Sequence, residues 1–170
     1  MGPLSVVWEW EDGSFDRAQI LPAPGGWQVS GRHGDTRYVI TLDAGFRCQS
    51  LQASSGDAAC RLTRGPTGWR REDGSLCPGS ADALDLDLSW SAVTNSFPIR
   101  RMMETETHSA RMQVLLVSLP DLEAQMVTQE YVRAEGHWLY LNVTNGFKAQ
   151  LEVDKNGLVT DYPGLCRRRD

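Results

Sequence analysis

Two carboxylates, two guanidiniums and several short polar side chains crowd one segment, Asp85-Leu-Asp-Leu-Ser-Trp-Ser-Ala-Val-Thr-Asn-Ser-Phe-Pro-Ile-Arg-Arg-Met102. If residues 85–88 form a strand, alternation puts Asp85 and Asp87 on one face and Leu84, Leu86 and Leu88 on the other. Such a pair suits hydroxyl or metal binding, or a dyad in which one carboxyl has a raised pKa. It equally suits a solvated strand face, or carboxylates paired to Arg100 and Arg101. A dedicated site for a hard cation wants about six oxygens or more, so no metal is assigned to the pair. Thr94 and Asn95 read as turn residues before Phe97-Pro98, where their side chains can satisfy loop backbone groups. The two arginines then open the next strand and point to opposite faces. One directed into a curled sheet would hold a phosphate, sulfate or carboxylate through paired hydrogen bonds; a structural ion pair is the alternative.

Other reactive constellations are missing. The chain has no nucleophile elbow, phosphate loop, dinucleotide fingerprint or H-E-x-x-H pattern. His33 falls in a glycine-rich turn, His108 follows a Thr/Glu run and His137 opens a strand, settings that suit exposed or capping roles. Cys48, Cys60, Cys77 and Cys166 are scattered without C-x-x-C or zinc-finger spacing, and read as reduced structural thiols. No cofactor is expected. Six tryptophans (Trp8, Trp10, Trp27, Trp69, Trp90 and Trp138) either fill a core or line an apolar pocket.

The elements that must position these groups are strands. Val6, Trp8 and Trp10 alternate with Val7 and Glu9, and Tyr38, Ile40 and Leu42 with Arg37, Val39 and Thr41. The cleanest alternation sets Phe147, Ala149, Leu151 and Val153 against Lys148, Gln150 and Glu152, while His137, Leu139, Leu141 and Val143 oppose Trp138, Tyr140 and Asn142. Breakers recur at 22–26, 31–34, 43–45, Gly65-Pro66, Asp73-Gly74, Asn145-Gly146 and Asn156-Gly157, where Asp-Gly and Asn-Gly supply tight hairpin turns. Met112 to Val117 is apolar on both faces, and Leu122 to Val132 predicts an unusually long strand. No window carries a helical apolar stripe; short turns near 77–83 and 104–110 are the best helical prospects. Strands joined by short turns pair antiparallel, and a sheet this long must curl to hide its apolar face and edges. The reading is a single all-β domain over residues 1–170: one antiparallel meander wound into a roll or half-open barrel, with at most short helical turns.

Composition sets the outer bounds. The 170 residues are 41% hydrophobic and 23% charged, ordinary values for one globular domain. A net charge of −5 argues against a nucleic-acid partner. The Arg167-Arg-Arg169 run is expected to be a solvated terminus. The start has neither a basic n-region nor a signal-length apolar stretch, Val6 breaks the myristoylation pattern, and no window nears the roughly 18 apolar residues of a membrane span. A cytoplasmic location is the expectation.

Three blocks resemble a known family. Gly68-Trp-Arg-Arg-Glu-Asp-Gly74 is similar to its Gly-x-Trp followed by an Asp-Gly turn. Asp85-Leu-Asp-Leu88 through Thr94-Asn-Ser-Phe-Pro-Ile-Arg-Arg-Met102 resembles D-x-D-L followed by T-N-x-L-P-I-R-R-L. Val153-Asp-Lys-Asn-Gly-Leu-Val-Thr-Asp-Tyr-Pro-Gly-Leu165 resembles a closing D-x-x-G-L-V-x-D-Y-P-G, and Gln129-Glu-Tyr131 a Gln-x-Tyr in a long strand. These are marks of the Putative glycolipid-binding family of small bacterial proteins. The likeness runs from about residue 68 to the C-terminus; the earlier residues match mainly in strand rhythm. Phe97 replaces a leucine, Ala83 a cysteine and Cys166 an aromatic, and Ser91-Ala-Val93 lacks a Pro-Phe pair.

The resemblance implies a spiral β-roll, similar to the half-open barrels of bacterial lipoprotein carriers, and by fold analogy a glycolipid ligand. The resulting expectation is a non-enzymatic protein holding a glycolipid or fatty acyl amphiphile on the concave face of the roll. The tail would lie on tryptophans and aliphatics, and Arg100 or Arg101, with Asp85, Asp87, Thr94 and Asn95, would hold the head. Trp69, Gln129, Tyr131 and Tyr162 complete the candidate set. The alternatives are an enzyme on a carbohydrate or lipid-like substrate using Asp85 and Asp87, and a module that recruits a partner strand to a sheet edge.

Overall fold

The computed structural model describes residues 2–169. Seven strands come first: β1 (Leu4–Trp10), β2 (Phe15–Ala23), β3 (Gly26–His33), β4 (Thr36–Asp43), β5 (Cys48–Ser55), β6 (Ala58–Gly65) and β7 (Gly68–Arg71). A loop, strand β8 (Asp85–Leu88) and helix α1 (Val93–Glu104) follow. The chain closes with β9 (Ser109–Ser118), β10 (Glu123–Arg133), β11 (Trp138–Asn142), β12 (Phe147–Val153), β13 (Val159–Tyr162) and β14 (Cys166–Arg169).

All fourteen strands belong to one open sheet in the order β7-β6-β5-β4-β3-β2-β1-β14-β13-β12-β11-β10-β9-β8. It is therefore two meanders joined where β1 pairs with β14, in register Val7↔Arg169 to Trp10↔Cys166. The all-β rolled sheet expected from alternation is what forms. Tyr38, Ile40 and Leu42 point inward, as do Trp138, Tyr140 and Asn142, while Leu139 faces out at 42% exposure. Val114, Leu115 and Val117 are buried on both faces of β9, and β10 is the long strand expected, with 11 residues.

Four expectations need correction. The segment read as a turn plus strand is a 12-residue helix, α1, with Thr94 and Asn95 in its first turn and both arginines in its second half. Pairing is not wholly antiparallel: β8 runs parallel to β9, with Asp85↔Val114 and Asp87↔Leu116. The helix is the crossover that a parallel pair requires. Gly31 lies inside β3, paired with Tyr38, and not in a turn. Finally, the arginine run is strand β14: Arg167 and Arg169 are exposed as expected, but Arg168 is largely buried and bound to Asp154.

The helix lies within the curve of the sheet. Val93 to Ile99 and Met102 are all buried, and its polar residues bond to strands from separate parts of the sheet. Asn95 reaches β10, Ser96 accepts from the Val159 N–H at 3.1 Å, and Arg101 reaches β8. A helix buried on every side from Val93 to Ile99 needs no apolar stripe, which explains why periodicity missed it. Pro98 sits inside it and removes the donor that Thr94 C=O would otherwise receive.

The edge strand β8 turns in to meet the other half of the sheet. Leu84 C=O accepts from Cys48 N–H at 3.0 Å, and Ala83 C=O accepts from the Trp69 indole at 2.9 Å. Trp8, Trp69, Trp90 and Trp138 are core residues, and Trp10 and Trp27 pack against that core. Cys48, Cys77 and Cys166 are buried free thiols and Cys60 is half-buried. Burial pushes the Cys166 thiol up to about 12.

Candidate functional site

Asp85 and Asp87 share the inward face of β8, as alternation requires. Their surroundings differ because α1 passes them at different depths. Asp85 is 2% exposed and receives both amino groups of Arg101, one at 2.8 Å. Arg101 also donates to Phe46 C=O at 2.7 Å. Burial raises the Asp85 pKa and Arg101 opposes that rise. With each oxygen held by a guanidinium, Asp85 is a structural anchor for the helix.

Asp87 is half-buried, and its partners are neutral. Thr94 Oγ1 donates to one oxygen at 2.8 Å and Gln129 Nε2 to the other at 2.7 Å. Behind them runs a directed chain: Asn95 Nδ2 donates to the Tyr131 hydroxyl at 2.9 Å, and that hydroxyl donates to Gln129 Oε1 at 3.1 Å. Each proton in the chain points toward Asp87, so the carboxylate is the terminal acceptor of a polarised network. Burial raises its pKa; Thr94, Gln129 and the Leu88 backbone offset part of the rise. A carboxylate has about four acceptor positions, and the bonds from Thr94 and Gln129 do not fill them.

The register of β10, β11 and β12 brings further groups to this place. Gln129 pairs with Asn142 and Asn142 with Phe147; Tyr131 pairs with Tyr140. The Asn142 and Gln129 side chains lie beside the Tyr140 hydroxyl, whose pKa burial raises. Ring centroids lie 5.2 Å apart for Tyr131–Tyr140, 6.2 Å for Tyr140–Tyr162 and 6.3 Å for Phe147–Tyr162. Phe147 is 40% exposed, so the aromatic group reaches solvent there. A carboxylate, two amides, phenol hydroxyls and an exposed ring converge. Such groups accept from and donate to vicinal hydroxyls and cover an apolar C–H face.

Of the residues singled out in the sequence, Asp87, Thr94, Asn95, Gln129, Tyr131 and Tyr162 come together. Asp85 and Arg101 form their own locked pair. Arg100 is engaged within the protein, donating to Asn156 C=O at 3.0 Å, bridging to Glu104 at 3.1 Å and lying over the Phe46 ring. The helix turns both guanidiniums toward internal acceptors, whereas the expectation from the sequence is that one of them faces a head group. Trp69 is fully buried, with its indole spent on Ala83. Tyr140, Asn142 and Phe147 were not singled out; inward alternation opposite Gln129-Glu-Tyr131 is the signal that finds them.

A second buried carboxylate lies elsewhere in the interior. Asp16 on β2 is fully buried and accepts from the Tyr38 hydroxyl at 2.9 Å and from Ser91 Oγ at 2.5 Å. Burial pushes its pKa up to about 6 despite those bonds. His33 sits 3.2 Å from Ser14 Oγ, edge-on to Trp10, and His137 Nδ1 lies 3.0 Å from Glu135 C=O. Among the described residues no group of three or more His, Cys, Asp or Glu side chains gathers as metal ligands do, and no helix is long and apolar enough to cross a membrane.

The family model described as Putative glycolipid-binding matches residues 6–168. A crystal structure of a DUF1089 family protein from Pseudomonas aeruginosa superposes with a TM-score of 0.70 at 29% identity, covering 99% of this chain and 93% of that one. No curated protein matches the chain.

Proposed function

The chain belongs to the Putative glycolipid-binding family, and from that premise we propose that it is a non-enzymatic binding protein for the hydroxylated head of a glycolipid, held at Asp87. The observation that carries this reading is the cation-free carboxylate of Asp87, fed only by neutral donors and adjoining tyrosine hydroxyls and an exposed phenylalanine ring. An anionic head would face that carboxylate with Arg101 already engaged by Asp85, so a neutral sugar suits the site better. Its hydroxyls would take the open acceptor position of Asp87 and bond Asn142 and Tyr140. A sugar ring face would lie on Phe147.

The helix fills the concave space in which a tail bedded on tryptophans was expected. The head therefore carries recognition, and the acyl chain leaves past the exposed Phe147 edge. Isothermal titration with a panel of neutral and anionic glycolipids in detergent tests the reading. Binding of a neutral member, lost in Asp87→Asn and weakened in Phe147→Ala, supports it. Folded protein that binds no member, or that binds equally well as Asp87→Asn, overturns it.

A further inference from the structure

The outward face of β10–β12 carries an apolar column set between opposite charges. Leu139 and Leu141 alternate with the inward Tyr140 and Asn142 along β11, and Val143 follows its end. The register sets Glu130 beside Leu141 on the β10 side and Lys148 beside Leu141 on the β12 side. One residue row away, Val132 and Gln150 flank Leu139. Val132 and Leu139 are 40% and 42% exposed, and the depression around them encloses about 620 Å³. Scattered exposed apolar residues are ordinary, but neighbours paired across two strands make a patch. These strands lie inside the sheet with both edges paired, so a partner must pack on their face rather than add a strand.

We propose that a second copy of this chain docks here, about a two-fold axis parallel to β11. Rotation about that axis exchanges the two sides of the column, laying β10 of one copy over β12 of the other. Leu139 and Leu141 then meet their own counterparts, and Glu130 of each copy meets Lys148 of the other, twice. A two-fold axis across the strands would instead bring Glu130 toward Glu130. The placement of the charges thus selects one self-complementary arrangement, which is what an isologous interface requires. Glu130 already receives Arg111 at 3.0 Å, and a carboxylate has acceptor positions for both cations. Lys148 makes no ion pair among the described residues. The face lies on the opposite side of the strands from Gln129 and Tyr131, so the proposal stands apart from the sugar-binding reading.

Sedimentation velocity of the full chain from about 1 to 100 μM covers the range in which standard interfaces associate. A concentration-dependent dimer is expected. Leu139→Asp abolishes it, Glu130→Lys and Lys148→Glu each weaken it roughly tenfold, and the double swap restores it. All three substituted positions are on the surface, and circular dichroism checks that each of the four variants folds. A wild-type monomer throughout the range overturns the proposal, as does a dimer that ignores these substitutions. Failure of the double swap to restore association overturns the two-fold arrangement. A monomer that floats with phosphatidylglycerol vesicles through Leu139 assigns the face to a lipid surface and overturns the dimer.

Discussion

Asp85 and Asp87, side by side on the inward face of β8, have opposite kinds of partner: Asp85 is held by the guanidinium of Arg101, and Asp87 by the hydroxyl of Thr94 and the amide of Gln129. The strand places them alike; the helix makes them different. Asp85 spends its charge on holding α1 to β8. Asp87 accepts only from neutral groups.

Removing one member of the Asp85–Arg101 pair leaves a buried charge without its counterion. Asp85→Asn is expected to cost about 3–5 kcal/mol of stability, the usual range for such breakage. Arg101→Lys retains the charge but loses the fork and the second bond, so it falls between that variant and wild type. Urea unfolding monitored by tryptophan fluorescence checks both. Equal stability of all three proteins would remove the anchoring role.

The Asp16 carboxyl gives stability a pH dependence of uncommon sign. Its folded pKa is about 6 against 3.8 for an unperturbed aspartate, so the folded state binds the proton more tightly. Its favourable contribution is full below pH 3.8 and is lost as pH rises through 6, leaving a cost of about 3 kcal/mol at neutral pH relative to acid. Asp16→Asn keeps an acceptor for Tyr38 and has no charge to desolvate. The variant should melt higher than wild type at pH 8 and lose the difference by pH 4. A melting temperature lowered at pH 8 would contradict the assignment.

Sugar binding should depend on pH in the other direction. On the proposed reading the carboxylate form of Asp87 accepts the guest's hydroxyls, and its pKa is raised by burial. Affinity is therefore expected to fall on acidification, beginning at a higher pH than an ordinary aspartate would give. Titrations at successive pH values check this. In Gln129→Glu a second carboxylate replaces the amide donor, which should move the loss to still higher pH.

Gly31 and Tyr38 show a close approach that only glycine permits. A Cβ at position 31 would fall 2.2 Å from Tyr38 Cζ, and that ring is fixed by its hydroxyl bonds to Asp16 and Ser91. Gly31→Ala must push the ring off those partners, with an expected cost of about 1–3 kcal/mol. The same substitution in a Tyr38→Ala background should cost far less, and a thermodynamic cycle of the four proteins measures the difference.

The strands were legible because a one-sided sheet writes its geometry into every second residue. Tyr38-Val-Ile-Thr-Leu42 and Trp138-Leu-Tyr-Leu-Asn142 are plain cases. Helix α1 was not legible, because burial on every side removes the polar face that gives a helix its period. Thr94, Asn95 and Ser96 resemble turn residues until their partners on β8, β10 and β13 are known. The site was half legible for the same reason. Asp87, Thr94 and Gln129 stood in the conspicuous blocks, but that Arg101 belongs to Asp85 depends on the helical spacing of 101 from the strand. Asn142 and Phe147 enter through register, which only pairing between strands reveals.

The chain's two ends form a seam. Since β1 and β14 alone stitch the early strands to the late ones within the sheet, deleting the last few residues would unzip one continuous surface into two wings. The first wing would also lose the Val159 carbonyl neighbourhood into which the Trp8 indole is pinned. A circular permutant that joins the termini and opens a distant hairpin should tolerate its new ends. A short C-terminal trim at Cys166 should not, although it removes no residue of the Asp87 network.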